Sequence, residues 1–301
     1  MLTAEIIMLN ERIRKIYMSE NLTDIKQIKF LLEKHGFNFS KSLGQNFLIN
    51  SRIPKRIAAE GTSGKGLAVE IGPGIGCLTR ELAQRCPKVT AYEIDKALIP
   101  ILEETVLADF DNVEIINEDF LKADLETLKK YSGIEVCANL PYYITSPVIM
   151  RLLESGLDIS SITVMIQKEV AKRLCAAAGS KEYGGISAAV QYYSRPKILF
   201  DVSAGNFIPA PKVTSSVVRL DIEERKNKPK DESLMFRIIK AGFSQRRKTL
   251  TNALSSMMNL PKEDTVGILS SMGLKEDIRA EKLGIDDFII LSDKISEYKK
   301  I

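Results

Sequence analysis

Leu67-Ala68-Val69-Glu70-Ile71-Gly72-Pro73-Gly74-Ile75-Gly76-Cys77-Leu78 opens as a short, mostly apolar run and then places three glycines in five positions. Such a run ending in a glycine cluster, followed by Leu78 and Leu82 at helical spacing, reads as a buried strand turning into a helix over Cys77 to Arg85. Outward from it, Val89 to Glu93 is the next strand, Lys96 to Glu104 a helix, and Val113 to Asn117 and Glu135 to Leu140 further strands. Ser146-Pro147 reads as N-cap and first helical residue of a helix over Val148 to Glu154, and Ser161 to Gln167 as another strand. Upstream, Asp24 to Lys34 reads as a short helix. This βαβ alternation predicts an α/β fold with a mostly parallel sheet covered on both faces.

Helices are expected at Lys168 to Ala177 and Gly185 to Tyr193, then β-rich runs at Lys197 to Val202 and Val213 to Ile222, where the sheet closes. Glu223 to Asp231, EERKNKPKD, is charged, carries a proline and lacks apolar periodicity, so it is the natural linker. Beyond it, Leu234 to Phe243, Lys248 to Met258, Lys262 to Met272 and Ile285 to Tyr298 each present an apolar stripe. The expected organisation is a leader over 1–23, a sheet domain over 24–224 and a small all-α domain over 225–301.

The net charge of +4 conceals an asymmetry. Residues 1–56 hold 10 Lys+Arg against 5 Asp+Glu, residues 57–224 hold 17 against 23, and residues 225–301 hold 16 against 11. Basic flanks around an acidic centre suit a polyanion laid across a pocket that receives something cationic. The four cysteines show no CxxC spacing, which points to a reducing, cytoplasmic setting. A lone His35 leaves no zinc site and no histidine triad, so chemistry without a metal is expected. No apolar run approaches the ~18 residues of a membrane span. The leader has Ile6, Leu9, Ile13 and Ile16 at helical spacing but carries Glu5 and Glu11, unlike a signal or transit peptide, and Met18 is a candidate start. No long apolar seam calls for a dimer, so a monomer is expected.

The glycine spacing G-x-G-x-G differs from the G-x-G-x-x-G of dinucleotide sites. A pyrophosphate at the helix N-terminus would meet the Glu70 carboxylate, whereas S-adenosylmethionine has no phosphate and carries a sulfonium and an ammonium that a nearby carboxylate can tolerate or favour. Glu93, 17 residues after Gly76, stands near the offset at which an acid meets a ribose diol. Asp119, just past the third strand, is placed to accept from the adenine amino group of that cofactor. Asn139-Leu140-Pro141-Tyr142 closes the apolar run Val136-Cys137-Ala138 with an amide, a carbonyl held at a fixed angle by proline, and a ring. Those groups grip the exocyclic amine of a flipped adenine, and their dipoles can replace a general base. Phe207, before the Pro209-Ala210-Pro211 bend, is expected to sandwich the base with Tyr142. Arg246, Arg247 and Lys248, with Lys41, Arg52, Lys55 and Arg56, are expected to hold a phosphate backbone.

Lys41 to Leu48, Glu70 to Gly76, Asn139 to Tyr142, Phe207-x-Pro209-x-Pro211-x-Val213-x-Ser215 and Phe243 to Leu250 occur in the order that resembles KsgA-type small-subunit rRNA adenine N6,N6-dimethyltransferases, over roughly residues 24 to 290. The resemblance implies a Rossmann-like methyltransferase domain, S-adenosylmethionine as donor, two adjacent adenines near the 3′ end of small-subunit (16S) rRNA as substrate, and the immature small ribosomal subunit as partner. It implies cofactor contacts at Asn46, Leu48, Gly72, Glu93, Asp119 and Asn139, with Gly74 and Gly76 in the same turn, and an entry lip at Gln45 and Phe47. The alternatives are a large-subunit rRNA adenine methyltransferase of the macrolide-resistance type, which Leu140 and the Gln245-Arg246-Arg247-Lys248 run disfavour, and an assembly factor acting mainly by binding.

Overall fold

Seven strands form one sheet in the order β4-β3-β2-β5-β6-β9-β7. They are β2 (Leu67–Ile71), β3 (Lys88–Tyr92), β4 (Val113–Ile116), β5 (Ile134–Asn139), β6 (Ile159–Gln167), β7 (Ser194–Val202) and β9 (Ser215–Ile222). The computed structural model describes residues 21–39, 44–245 and 247–298, so residues 1–20 of the expected leader, Lys41 and Arg246 lie outside the described residues. Strands β4, β3, β2, β5 and β6 run parallel, and β9 is antiparallel to β6. Every residue of β2 is buried, which requires cover on both faces and explains why that strand reads as an apolar run rather than an alternation. The order reverses between β2 and β5, so the carboxyl ends of these two strands open the crevice where α/β sheets bind ligands.

Two elements that decide the site have weak sequence signals. Residues Arg52–Gly61 form a helix whose Ile53, Ile57 and Ala58 pack with Leu78 and Leu82 of the helix Cys77–Ala83, and with Cys137 and Met165 of the sheet. Two-residue strands β1 (Phe47–Leu48) and β8 (Phe207–Ile208) pair antiparallel, Leu48 opposite Phe207, and so clip the N-terminal segment to the far end of the sheet domain.

The helix expected over Lys96 to Glu104 is broken into three hydrogen-bonding registers: a 3-10 turn Lys96–Leu98, an α turn Ile99–Leu102 and a π turn Glu103–Leu107. Ser146 is not an N-cap. The helix is Thr145–Leu153 and continues directly from a 3-10 turn over Tyr142–Ile144, which puts Ser146 already inside the first turn.

The chain divides into two compact units, one holding the residues up to Lys168 with Ile198–Asp221, the other Glu169–Lys197 with Ile222 onward. The last cut, after Asp221, falls near the expected linker, but the helices Lys168–Leu174 and Gly185–Tyr193, expected with the sheet, fall almost wholly in the second unit. Ala188 and Tyr192 share a core with Leu234, Ile238, Leu250 and Phe288, which the apolar stripes of all these helices build together.

Candidate active site

The β2 turn is shaped by backbone conformations that side chains rarely adopt. Gly72, Gly74 and Gly76 have φ of +71°, +62° and +91°. A Cβ on Gly72 would meet nothing within 4 Å, and this glycine lines a cavity of about 300 Å³ at the carboxyl ends of β2 and β5. On Gly74 it would lie 3.3 Å from the Phe47 ring. Gly76, expected among the cofactor contacts, does not line the cavity; its missing side chain makes room for Val106 in the π turn, and it caps the helix Cys77–Ala83.

Four acids line the same cavity: the three expected ones, Glu70, Glu93 and Asp119, and the adjoining Glu118. Glu70 is 1% exposed, and its Oε2 has no hydrogen-bond partner. Burial pushes its carboxyl up to about 8, against the opposing Thr79 hydroxyl and with help from Glu93. Glu93 accepts from the Gly74 N–H at 3.1 Å and from the Asp95 N–H at 2.8 Å, and burial still pushes it up to about 7. Asp119 accepts from the Leu121 N–H at 3.0 Å, which aims the loop after β4. Buried carboxyls that favour their neutral form, one of them with an unpartnered oxygen, form a receptor for a cationic ligand. The open space beside Gly72 leaves room for that ligand's backbone-hugging portion. These features fit S-adenosylmethionine.

At the end of β5, Asn139 Nδ2 donates to the Asn46 carbonyl at 3.3 Å, and Asn46 Nδ2 donates to the Gly44 carbonyl at 2.8 Å. Leu140 is buried and donates its N–H to the Met165 carbonyl of β6 at 3.2 Å. Pro141 holds the next step at φ −56°. The Tyr142 hydroxyl is hydrogen-bonded to Ser215 Oγ of β9 at 2.9 Å. Phe207 is 4% exposed, packs with Leu48 and Ile53 in the core, and lines the cavity together with Asn139, Leu140, Pro141 and Tyr142.

The structure thus brings Asn46, Leu48, Glu70, Gly72, Gly74, Glu93, Asp119 and the Asn139–Tyr142 step to one cavity, with Gln45 and Phe47 on its wall. Gln45 Nε2 donates to Asp95 Oδ2 at 2.6 Å, tying the expected lip to the loop after β3. Ile94, Cys77 and Tyr143 also line the cavity, and only their adjacency to Glu93, Gly76 and Tyr142 marks them in sequence. The Cys77 thiol donates to the Leu22 carbonyl, and burial pushes it up to about 12, so it is no nucleophile.

The expected RNA-contacting cations divide. Arg52, Lys55 and Arg56 project from one helix and are exposed, but Arg56 is ion-paired with Glu60 and lies over the Phe200 ring at 3.8 Å. Arg247 and Lys248 are exposed just before Thr249, the N-cap of the helix Leu250–Met258, and belong to the other unit.

The model of a family described as ribosomal RNA adenine dimethylase matches residues 36–297. The chain is 46% identical over 285 residues to Ribosomal RNA small subunit methyltransferase A of Alkaliphilus oremlandii, covering 92% of this chain and 99% of that one. It is 44% identical over 290 residues to the protein of the same name from Bacillus licheniformis, covering 93% and 99%. A crystal structure of a dimethyladenosine transferase from Plasmodium falciparum superposes with a TM-score of 0.72 at 25% identity, over 84% of this chain and 98% of that one. The 23S rRNA methyltransferase ErmE shares the fold, with a TM-score of 0.65 at 24% identity over 83% of this chain and 99% of that one. With its five ordered motifs inside the matched span and the acid-lined cavity at its sheet switch point, the chain belongs to the ribosomal RNA adenine dimethylase family.

Proposed function

We propose that this protein dimethylates N6 of two adjacent adenines near the 3′ end of small-subunit rRNA, acting on the immature small ribosomal subunit in the cytoplasm. The observation that carries this reading is one cavity shared by three acids suited to a cationic adenosine ligand and by the Asn139–Tyr142 step suited to a flipped adenine. S-adenosylmethionine, when bound, supplies a methyl group activated by its sulfonium. Glu70 would hold the amino group of its methionine portion, Glu93 would accept from its ribose hydroxyls and Asp119 from its purine amine, with Asn46, Leu48, Gly72 and Gly74 completing the wall.

The Asn139 amide and the Leu140 carbonyl accept from the N6–H groups of the substrate base. In free adenine the N6 lone pair is delocalised into the ring, and these acceptors hold the nitrogen in a geometry that aims the pair at the methyl carbon. They also stabilise the positive charge that builds on N6, which replaces a general base. Tyr142, anchored by Ser215, and Phe207, anchored in the core, hold the ring. Two transfers at each of two adenines make four per substrate. Arg52, Lys55, Arg247 and Lys248, with Lys41 and Arg246 outside the described residues, contact the phosphate backbone.

The test is methyl transfer from labelled S-adenosylmethionine to undermethylated small subunits, naked small-subunit rRNA and large-subunit RNA in parallel. Label in small-subunit RNA supports the reading. Label confined to large-subunit RNA moves the activity to the other subunit, and tight subunit binding with no label leaves only an assembly role.

A further inference from the structure

We propose that Tyr143 is an aromatic cover for the adenosine end of the methyl donor, a role separate from that of its neighbour Tyr142; the assignment rests on the donor placement proposed above. The two adjacent tyrosines have different surroundings. Tyr142 is half-buried and tied through its hydroxyl to Ser215 on β9, and it lines the cavity together with Phe207, its proposed partner on the substrate base. Tyr143 lines the same cavity yet is 56% exposed, and it has no hydrogen-bond partner among the described residues.

Its surroundings fix where the ring stands. Cδ1 and Cε1 come within 3.8 Å of the position a Cβ on Gly44 would take, so one edge lies along the loop that carries Asn46. The ring shares the cavity with Asp119 and Glu93, the two acids assigned to the donor's purine amine and ribose, and partial burial together with these two acids raises its phenol. Asp119 can recognise only the edge of a purine. A purine face needs an apolar or aromatic surface, and Tyr143 offers one that is half uncovered, as does Ile94, which lines the same cavity. Tyr142 and Phe207 already supply the rings at the substrate end, so a third ring among the donor's acids fits the other adenine of the reaction.

Calorimetric titration of S-adenosylmethionine into the full chain, its Tyr143→Ala and Tyr143→Phe variants and a Glu93→Ala control tests this. Loss of the ring is expected to weaken donor binding about tenfold or more, whereas Tyr143→Phe keeps the wild-type affinity. In turnover assays the loss appears chiefly in KM for the donor, and small-subunit RNA affinity is retained. Unchanged donor affinity in Tyr143→Ala, with Glu93→Ala strongly weakened, overturns the role of Tyr143 alone. Weakened RNA affinity with normal donor affinity assigns the ring to the substrate base and also overturns it. Unchanged donor affinity in Glu93→Ala removes the donor placement itself. Because Tyr143 is largely exposed, its variants are expected to melt with the wild type.

Discussion

The Asn139 amide donates to the main-chain carbonyl of Asn46 at 3.3 Å, joining the end of β5 to a segment 93 residues earlier in the chain. This bond uses one of the amide's two N–H groups and leaves its oxygen for the proposed role of accepting from N6–H. It also ties the proposed catalytic step to the wall of the cavity, because the Asn46 amide in turn donates to the Gly44 carbonyl.

Asn139→Ala removes that acceptor and is expected to lower kcat by about 10²- to 10³-fold, the range for loss of one preorganised dipole at a charge-building atom. Asn139→Asp keeps an acceptor but sets a carboxylate against the Asn46 carbonyl, and is expected to weaken donor binding as well. Single-turnover rates and donor titrations separate the two effects, and circular dichroism checks that both variants fold.

Donor binding is expected to tighten as pH rises from 6 to 8. Glu70 is pushed up to about 8 and Glu93 to about 7, and a cationic ligand requires them ionised. Where one carboxyl must lose its proton, affinity changes by about tenfold per pH unit below its pKa, with proton release detectable in buffers of different ionisation enthalpy. Glu70→Gln flattens the part of this profile near pH 8.

The donor-free protein follows the opposite slope. Between the ordinary carboxyl range and about 8 the folded chain keeps protons that the unfolded chain has released. Its stability is therefore full at the acid side of that window and falls as pH rises through it. Melting curves across pH 5 to 9 are expected to show this fall, and Glu70→Gln to reduce it.

Two of the turn's glycines, Gly72 and Gly76, are expected to fail differently. Gly76→Ala forces a Cβ into Val106 at φ +91° and lowers stability by about 1–3 kcal/mol or more, as strain at a special backbone position does. Gly72→Ala meets no protein atom, so beyond its backbone strain its effect falls on donor affinity. Thermal melts with and without donor distinguish the two.

Replacing Arg246, Arg247 and Lys248 with alanine is expected to weaken RNA binding and to flatten its dependence on salt, by up to about 0.7–0.9 of a log–log unit per lost phosphate contact, while donor affinity holds. Filter binding at several salt concentrations reads the slope. Equal loss of both affinities would indicate misfolding instead.

The glycine turn, the parallel strands and the Asn139–Tyr142 step were legible in the sequence because each rests on local chemistry: a run buried on both faces, backbone at positive φ, a rigid proline. What was not legible depends on partners distant in the chain. The helix Arg52–Gly61 hides behind Pro54 and three cations, and its apolar face is defined only by Leu78, Leu82 and the sheet. Strands of two residues, β1 and β8, have no periodicity to detect and exist because Leu48 and Phe207 pair. Ala188 and Tyr192 show an ordinary helical stripe, and nothing local says that it belongs with Leu234 and Phe288 rather than with the sheet. Gly76 looked like its neighbours in the turn, and only the fold shows that its space is taken by Val106.

Nucleoside mass spectrometry of small-subunit RNA after reaction with the wild-type chain and with Asn139→Ala tests the central claim most directly. The account predicts N6,N6-dimethyladenosine at two adjacent positions near the 3′ end with the wild type, and almost none with the variant. Equal dimethylation by Asn139→Ala, or methyl groups on any atom other than N6, would contradict it.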